Sequence, residues 1–225
     1  MYEKCFKRVL DFLLSLLALI ILSPVLLVLT VVGTIVMKGN PFFTQLRPGK
    51  DEKIFKLIKF RSMTCETDEN GKLLPDEQRL TGYGKFLRSS SLDELPELIN
   101  ILKGDMSIVG PRPQLVRDMV FMTPEQRKRH SVRQGLTGLA QCSGRNNMSW
   151  EQKFAYDLQY IENITFWGDV KIIFKTALKV LKRDGITEEG MATAEDLGDY
   201  LLHKGEVEEA EYEEKQKEAR ELLGV

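Results

Sequence analysis

The sequence predicts a mostly helical α+β protein. A re-entrant membrane helix-break-helix leads into a compact cytoplasmic domain with one small β-hairpin and amphipathic helices at the membrane surface. Three observations predict it. The 225-residue chain has no charged residue from Phe12 to Met37, a longer run than the roughly 18 apolar positions that mark a membrane segment. A strand-turn-strand pattern follows at "FFTQLRPGKDEKIFKLIKF". Beyond it, apolar residues recur at helical spacing.

The membrane segment carries its own argument for a bend. As one helix, Phe12 to Met37 would measure roughly 39 Å at about 1.5 Å per residue, against about 30 Å of hydrocarbon. Ser23-Pro24 interrupts it at mid-length, where a proline costs about 3 kcal/mol through a lost hydrogen bond and a clash with the carbonyl four residues back. Lys4, Lys7 and Arg8 precede the run; Lys38, Arg47, Lys50, Lys53, Lys56 and Lys59 follow it. Positive charge marks the cytoplasmic side, so both ends belong there and Ser23-Pro24 sets the topology. The Ser23 hydroxyl is expected to bond the Leu19 carbonyl. Residues 1–37 thus form the membrane segment.

Strands are expected at Phe42–Gln45 and Ile54–Met63, joined by a turn at Pro48-Gly49. Residues 65–76 are polar and read as a surface loop. Helices follow near Tyr83–Leu87 and Leu95–Leu102, and at "TPEQRKRH", where Thr123, Pro124 and Gln126 form a capping-box start. Another is expected over Trp150–Ile161. "GDVKIIFKTALKVLKR" puts Val170, Ile173, Phe174, Ala177, Leu178 and Leu181 near one face and four lysines near the other. That pattern fits a core helix with a solvated lysine face, or a basic helix lying on anionic lipid.

Charge divides the chain. Residues 187–225 hold four Lys/Arg and thirteen Asp/Glu, a net of −9, which leaves +8 on the rest. The basic body suggests anionic partners. The acidic stretch reads as a separate C-terminal extension, a solvated helix or loosely ordered, after a domain spanning residues 38–186. Three cysteines without Cys-x-x-Cys and only two histidines exclude a soft-ligand metal cluster and fit reduced thiols.

The chemistry concentrates in "GKFLRSSSLDELPELINILKGDMSIVGPRP". Pro96 belongs in the first turn of a helix, which makes Asp93 an N-cap with Glu94 just inside. That geometry serves capping alone, or a carboxylate poised to hold a cation or attack a phosphate. Arg112, between two prolines, presents its planar fork from a stiff backbone. Gly135, Gly138 and Gly144 precede Arg145 in "GLTGLAQCSGRNN", a run that permits close approach to a phosphate. Neither a Walker-type nor a dinucleotide-binding glycine motif occurs.

Together "KFRSM", "RLTGYGKFLRSSSLDELPELINILKGDMSIVGPRP" and "GLTGLAQCSGRN", after the Ser-Pro membrane segment, resemble the bacterial sugar transferases, specifically their small monotopic phosphoglycosyl transferases. The resemblance covers about residues 2–183. It implies transfer of a sugar 1-phosphate from a UDP-sugar to undecaprenyl phosphate, releasing UMP, on the cytoplasmic face of a bacterial inner membrane. By resemblance, Asp93 is the nucleophile that forms a covalent phosphosugar intermediate. Glu94 assists it in metal or proton handling, and Mg²⁺ is the cofactor, held by Asp93 and Glu94. Lys59, Arg88, Arg112, Arg145 and Asp157 match substrate- and phosphate-binding positions. The N-terminal "YEKCFKRVLDF" is most similar to members that use a diacetylbacillosamine donor. Membrane lipids are expected partners and nucleic acid is not. The competing reading is a membrane-anchored binding or scaffold protein that recognises anionic lipid or nucleic acid through "RKRHSVR", Arg127 to Arg133, without catalysis.

Overall fold

The computed structural model describes residues 2–144, 148–182 and 195–224. After a π-helical turn at Tyr2–Phe6, the apolar run forms one helix, α1 (Lys7–Val36), with Pro24 inside it. It is long and apolar enough to cross a membrane. The expected break therefore appears as a proline within a continuous element, and the reason is local. Ser23 Oγ donates to the Ile20 carbonyl at 2.8 Å, the acceptor that a proline at position 24 leaves without its N–H. The expected acceptor, Leu19, already has the Ser23 amide in helical register.

α1 touches the rest of the molecule along its whole length. Near its start, Arg8 donates to the Ile101 and Leu102 carbonyls at 2.6 and 3.0 Å, and buried Asp11 accepts from Ser107 Oγ at 2.6 Å and the Ile108 amide at 3.0 Å. Near its end, Tyr83 donates to the Leu29 carbonyl at 2.8 Å, and Gly33 lies against Pro41 and Tyr83 so closely that a Cβ would meet them at 3.0–3.1 Å. The opposite face is bare and apolar, with Ile20, Ile21, Leu27 and Ile35 all more than 60% exposed.

The hairpin forms as β1 (Phe42–Pro48) and β2 (Ile54–Phe60), antiparallel with Phe43 opposite Lys59 and Arg47 opposite Phe55. A 3-10 turn at Lys50–Glu52 joins them, with Asp51 and Glu52 at positive φ. Then come α2 (Asp76–Arg79), α3 (Gly82–Ser90) and a 3-10 turn at Leu92–Glu94. They lead into α4 (Glu97–Lys103) and β3 (Met106–Val109). Next are α5 (Val116–Met119), α6 (Pro124–Arg127) and a 3-10 turn at Lys128–Ser131. β4 (Gln134–Thr137) pairs with β3 in parallel, a second two-stranded sheet absent from the sequence expectation. α7 (Leu139–Ser143), α8 (Trp150–Glu162), α9 (Phe166–Lys182), α10 (Leu197–Lys204) and α11 (Glu209–Leu223) complete the chain. The Thr123 capping box is formed as expected.

Two cores position the centre of the molecule. Leu57, Leu98, Ile101 and Met106 are buried together, with Ala18, Leu19 and Leu22 of α1 packed on them; each such side chain contributes about 1.5–3 kcal/mol by leaving water. Leu29, Phe60 and Leu87 form the other, joined by Tyr83 and Leu95.

One of two open alternatives falls away, and one expectation changes. The apolar face of α9 is not core: Trp167 is 71% and Phe174 64% exposed, while Ile172 and Asp169 are buried. Asp169 is held by Lys7 at 2.6 Å and Tyr2 at 2.8 Å, which turns the aromatic face outward beside the start of α1. The acidic C-terminal stretch is not a loose extension either. Leu197, Tyr200, Leu201, Tyr212 and Ala219 pack with α5 and with Trp150 and Phe154 of α8.

Candidate active site

Asp93 and Glu94 do not cap a helix. They lie in the 3-10 turn before α4, whose N-cap is Pro96. Ser91 ends α3 in the left-handed region at φ 56° and begins that turn, a conformation that non-glycine residues adopt at some cost. The chain reverses there, and the two adjacent carboxylates point to different environments.

Glu94 is fully engaged. Its Oε1 accepts from Lys59 Nζ at 2.8 Å and from Arg112 at 2.7 Å. Burial raises its pKa, but Arg112 and Lys59 outweigh burial and hold the carboxyl well below its ordinary range. Asp93, by contrast, receives no side-chain hydrogen bond from any described residue. Burial, then repulsion by Glu94, pushes it up to about 6 against the opposing pull of Lys59, Arg112 and Arg88. One carboxylate is thus paired with two cations, while its neighbour lies half-buried near the same cations.

The cations arrive from separate elements. Lys59 comes from β2 and bridges Glu94 and Glu97, the latter at 3.1 Å. Burial raises its neighbour Glu97 to about 7, with Glu94 adding to the effect and Lys59 resisting it. Arg88 comes from α3, which approaches Ser62 so tightly that a Cβ on Gly84 would sit 1.8 Å from the Ser62 carbonyl; Arg88 Nε donates to Ser62 Oγ at 3.0 Å. Arg112 sits in the loop after β3. Its carbonyl accepts from Arg129 at 2.6 Å, and the Pro113 carbonyl accepts from Arg47 at 3.2 Å. Its guanidinium remains 43% exposed at the rim.

The structure gives other places to several expected residues. Asp157 is 3% exposed and bound to buried Arg129 through contacts of 2.9 and 2.7 Å. It therefore supports the Arg112 backbone and does not face the open side of the site. Gly135 and Gly138 are not a phosphate cradle: a Cβ on either would lie 2.1 Å from the Gly110 backbone. Their lack of side chains lets Gly110 donate to the Thr137 carbonyl and Gly135 to the Pro111 carbonyl, which seats the Arg112 loop on β4. Arg145 lies outside the described residues. The "RKRHSVR" run is not an open basic surface. Arg129 and His130 are buried, Arg127 pairs with Glu52 and Lys128 with Glu125. Burial, then Arg129 and Arg127, pushes His130 down to about 3, so it is neutral.

Sequence reading missed Glu97 and Arg129. Glu97 stands three residues after Glu94, a spacing that places side chains on one helical face, and that signal was available. Arg129 was hidden in a run of cations that the sequence does not tell apart, its neighbours Arg127 and Lys128 pairing with Glu52 and Glu125 instead.

The family model described as bacterial sugar transferase matches residues 2–183. The "Uncharacterized sugar transferase EpsL" of Bacillus subtilis is 46% identical over 190 residues, covering 84% of this chain and 94% of that protein. A UDP-glucose:undecaprenyl-phosphate glucose-1-phosphate transferase of Klebsiella pneumoniae is 42% identical, covering 77% of this chain and 40% of its own. An undecaprenyl-phosphate galactose phosphotransferase of Salmonella typhimurium is 38% identical, over 80% of this chain and 41% of its own. The chain therefore spans about two fifths of the length of these last two relatives.

Proposed function

Because this chain belongs to the bacterial sugar transferase family, we propose that it transfers a sugar 1-phosphate from a UDP-sugar to undecaprenyl phosphate, releasing UMP. The observation that carries the reading is the asymmetry of the two carboxylates: Glu94 takes up Lys59 and Arg112, leaving Asp93 without a side-chain hydrogen-bond donor among the described residues. In the proposed reaction an Asp93 oxygen attacks the β-phosphorus, the bond to the bridging oxygen breaks, and UMP leaves with that oxygen. The acceptor phosphate then attacks the same phosphorus and frees Asp93. Arg112, Arg88 and Lys59 stabilise charge that develops on the phosphoryl oxygens.

Magnesium is part of the proposal in one binding mode. Among the described residues no group of three or more His, Cys, Asp or Glu side chains could hold a metal ion. Asp93, with Glu94 beside it, fits the mode in which one or two carboxylates share Mg²⁺ with substrate phosphates. When bound it would neutralise phosphate charge.

The donor follows from a panel. The N-terminal resemblance favours UDP-diacetylbacillosamine, whereas two of the relatives are named for glucose and galactose. The full chain in detergent is expected to release UMP from one of these donors only with undecaprenyl phosphate and Mg²⁺ present. Chelation is expected to stop it. Release from none of the donors would sink the reading.

We also place the protein as monotopic on the cytoplasmic face of the inner membrane. Support comes from α1 being tied to one body at Arg8 and Asp11 and again at Leu29 and Gly33, so that neither end is free to leave it. The bare apolar face of α1 and the exposed Trp167 and Phe174 of α9 would meet lipid. Cys5 and Cys65 are exposed thiols. In a Cys65→Ser background, Cys5 in inside-out vesicles is expected to react with an impermeant maleimide. Replacing Ser23-Pro24 by Ala-Leu is expected to protect it, and unchanged labelling would show that the proline does not set topology.

A further inference from the structure

Residues 195–224 lie beyond the family match, which ends at residue 183, yet they are built into the body of the protein. α10 and α11 bury Leu197 and Ala219 against Val116, Met119 and Phe121. Gly198 lies flat on the Phe121 ring, where a Cβ would stand 2.7 Å from the nearest ring carbon. The join is also polar. Buried Asp118 accepts the Leu115 amide with one oxygen and the Leu197 amide with the other, at 3.0 and 2.9 Å. Arg117 pairs with Asp196, and Lys215 of α11 donates to the Val120 carbonyl at 3.1 Å.

α5 is only four residues long, so on its own it has little to hold it. It starts four positions after Arg112, and between them the chain has Pro113 and few ways to absorb movement. The anchors before Leu115 come from within the family match: β4 on Gly110 and Pro111, Arg129 on the Arg112 carbonyl and Arg47 on the Pro113 carbonyl. The anchor at Leu115 itself is the carboxylate that also grips α10.

We propose that the C-terminal helix pair α10–α11 is a positioning element for Arg112, bracing the loop through Asp118 and Phe121 so that the guanidinium stays on Glu94. The pair touches no proposed substrate; it acts through the loop. The proposal rests on reading the Asp93 site as the transfer centre. Glu94 faces Lys59 and Arg112, with Asp93 and Glu97 as its acidic neighbours. A loosened Arg112 loses its fixed place on Glu94 at 2.7 Å, so the chemical step slows more than donor binding weakens.

The test uses the full chain with two independent lesions. Gly198→Leu wedges α10 from Phe121, and Asp118→Asn sets an amide N–H₂ against a backbone N–H. Glu213→Gln, on the exposed side of α11, is the control. Amide hydrogen exchange is followed across residues 112–120 and 197–204, and UMP release is followed against donor concentration to separate kcat from KM. Both lesions are expected to speed exchange in both segments and to lower kcat more than they raise KM. Turnover is expected to fall roughly ten- to hundredfold, the scale of a small misplacement at a reacting centre. Faster exchange in 197–204 with wild-type exchange in 112–120 and an unchanged kcat would overturn the proposal. If the wild type releases no UMP, the functional reading fails, and exchange in 112–120 alone decides the brace.

Discussion

Asp93→Asn is expected to lower UMP release by at least about four orders of magnitude, the scale seen when a nucleophile is removed, while the protein stays folded. The amide keeps the shape of the carboxylate, and no described residue loses a hydrogen-bond partner by the change. The substitution also has a thermodynamic signature. Asp93 titrates at about 6, above its ordinary value, because burial and Glu94 disfavour its charge. A folded-state pKa raised in this way contributes stability that is complete below the unfolded value and is lost as pH rises through about 6. Wild type should therefore lose stability between about pH 4 and about pH 7 through this group, and Asp93→Asn should not. Thermal melts of both proteins across that range check it, and wild-type turnover should rise through the same interval as Asp93 ionises. Retained turnover in the variant would sink the nucleophile assignment.

The second large effect concerns the pair beneath the site. Asp157→Leu is expected to cost about 3–5 kcal/mol of stability, because it strands the buried Arg129 guanidinium without its counter-charge. Arg129 is fully buried and Asp157 3% exposed, so no solvent makes up the loss. Arg129→Met with Asp157→Leu should recover most of that stability, since an apolar pair of similar volume escapes the desolvation cost. Turnover should not recover with it. The double variant still lacks the donor that holds the Arg112 carbonyl at 2.6 Å. Urea unfolding in detergent alongside UMP release separates the two roles; a double variant with wild-type turnover would show that the pair serves only the core.

What could be read before folding was local. The apolar run of α1, the hairpin and the Thr123 capping box each declare themselves within a short window, through composition, alternation or turn chemistry. The β3–β4 pair does not. Four residues at Met106–Val109 meet four at Gln134–Thr137, and runs that short carry no period that points to a distant partner. The C-terminal pair was hidden by its charge: Leu197, Tyr200, Tyr212 and Ala219 pack inward from a stretch in which acidic residues, six of them glutamates of α11, outnumber the basic ones. The residues named at the site rested on resemblance more than on pattern, and folding sorted them. Lys59, Arg88, Arg112, Asp93 and Glu94 come together from four parts of the chain. Asp157, in contrast, turned out to belong to the layer underneath, because nothing in "KFAYDLQY" indicates which way its aspartate faces.

The fastening of α1 along the whole body bears on how this protein can be handled. Its anchor is not a tether that a protease or a cloning boundary could remove to leave a water-soluble enzyme. Ala18, Leu19 and Leu22 cover Leu57, Leu98 and Ile101, Arg8 takes up two carbonyls at the end of α4, and Asp11 satisfies the entrance to β3. A chain begun at Lys38 would carry an open hydrophobic seam and leave the Leu102 carbonyl and the Ile108 amide without their α1 partners. For this enzyme the long apolar helix is part of two of its buried cores, and purification has to keep the bilayer or a detergent against its bare face.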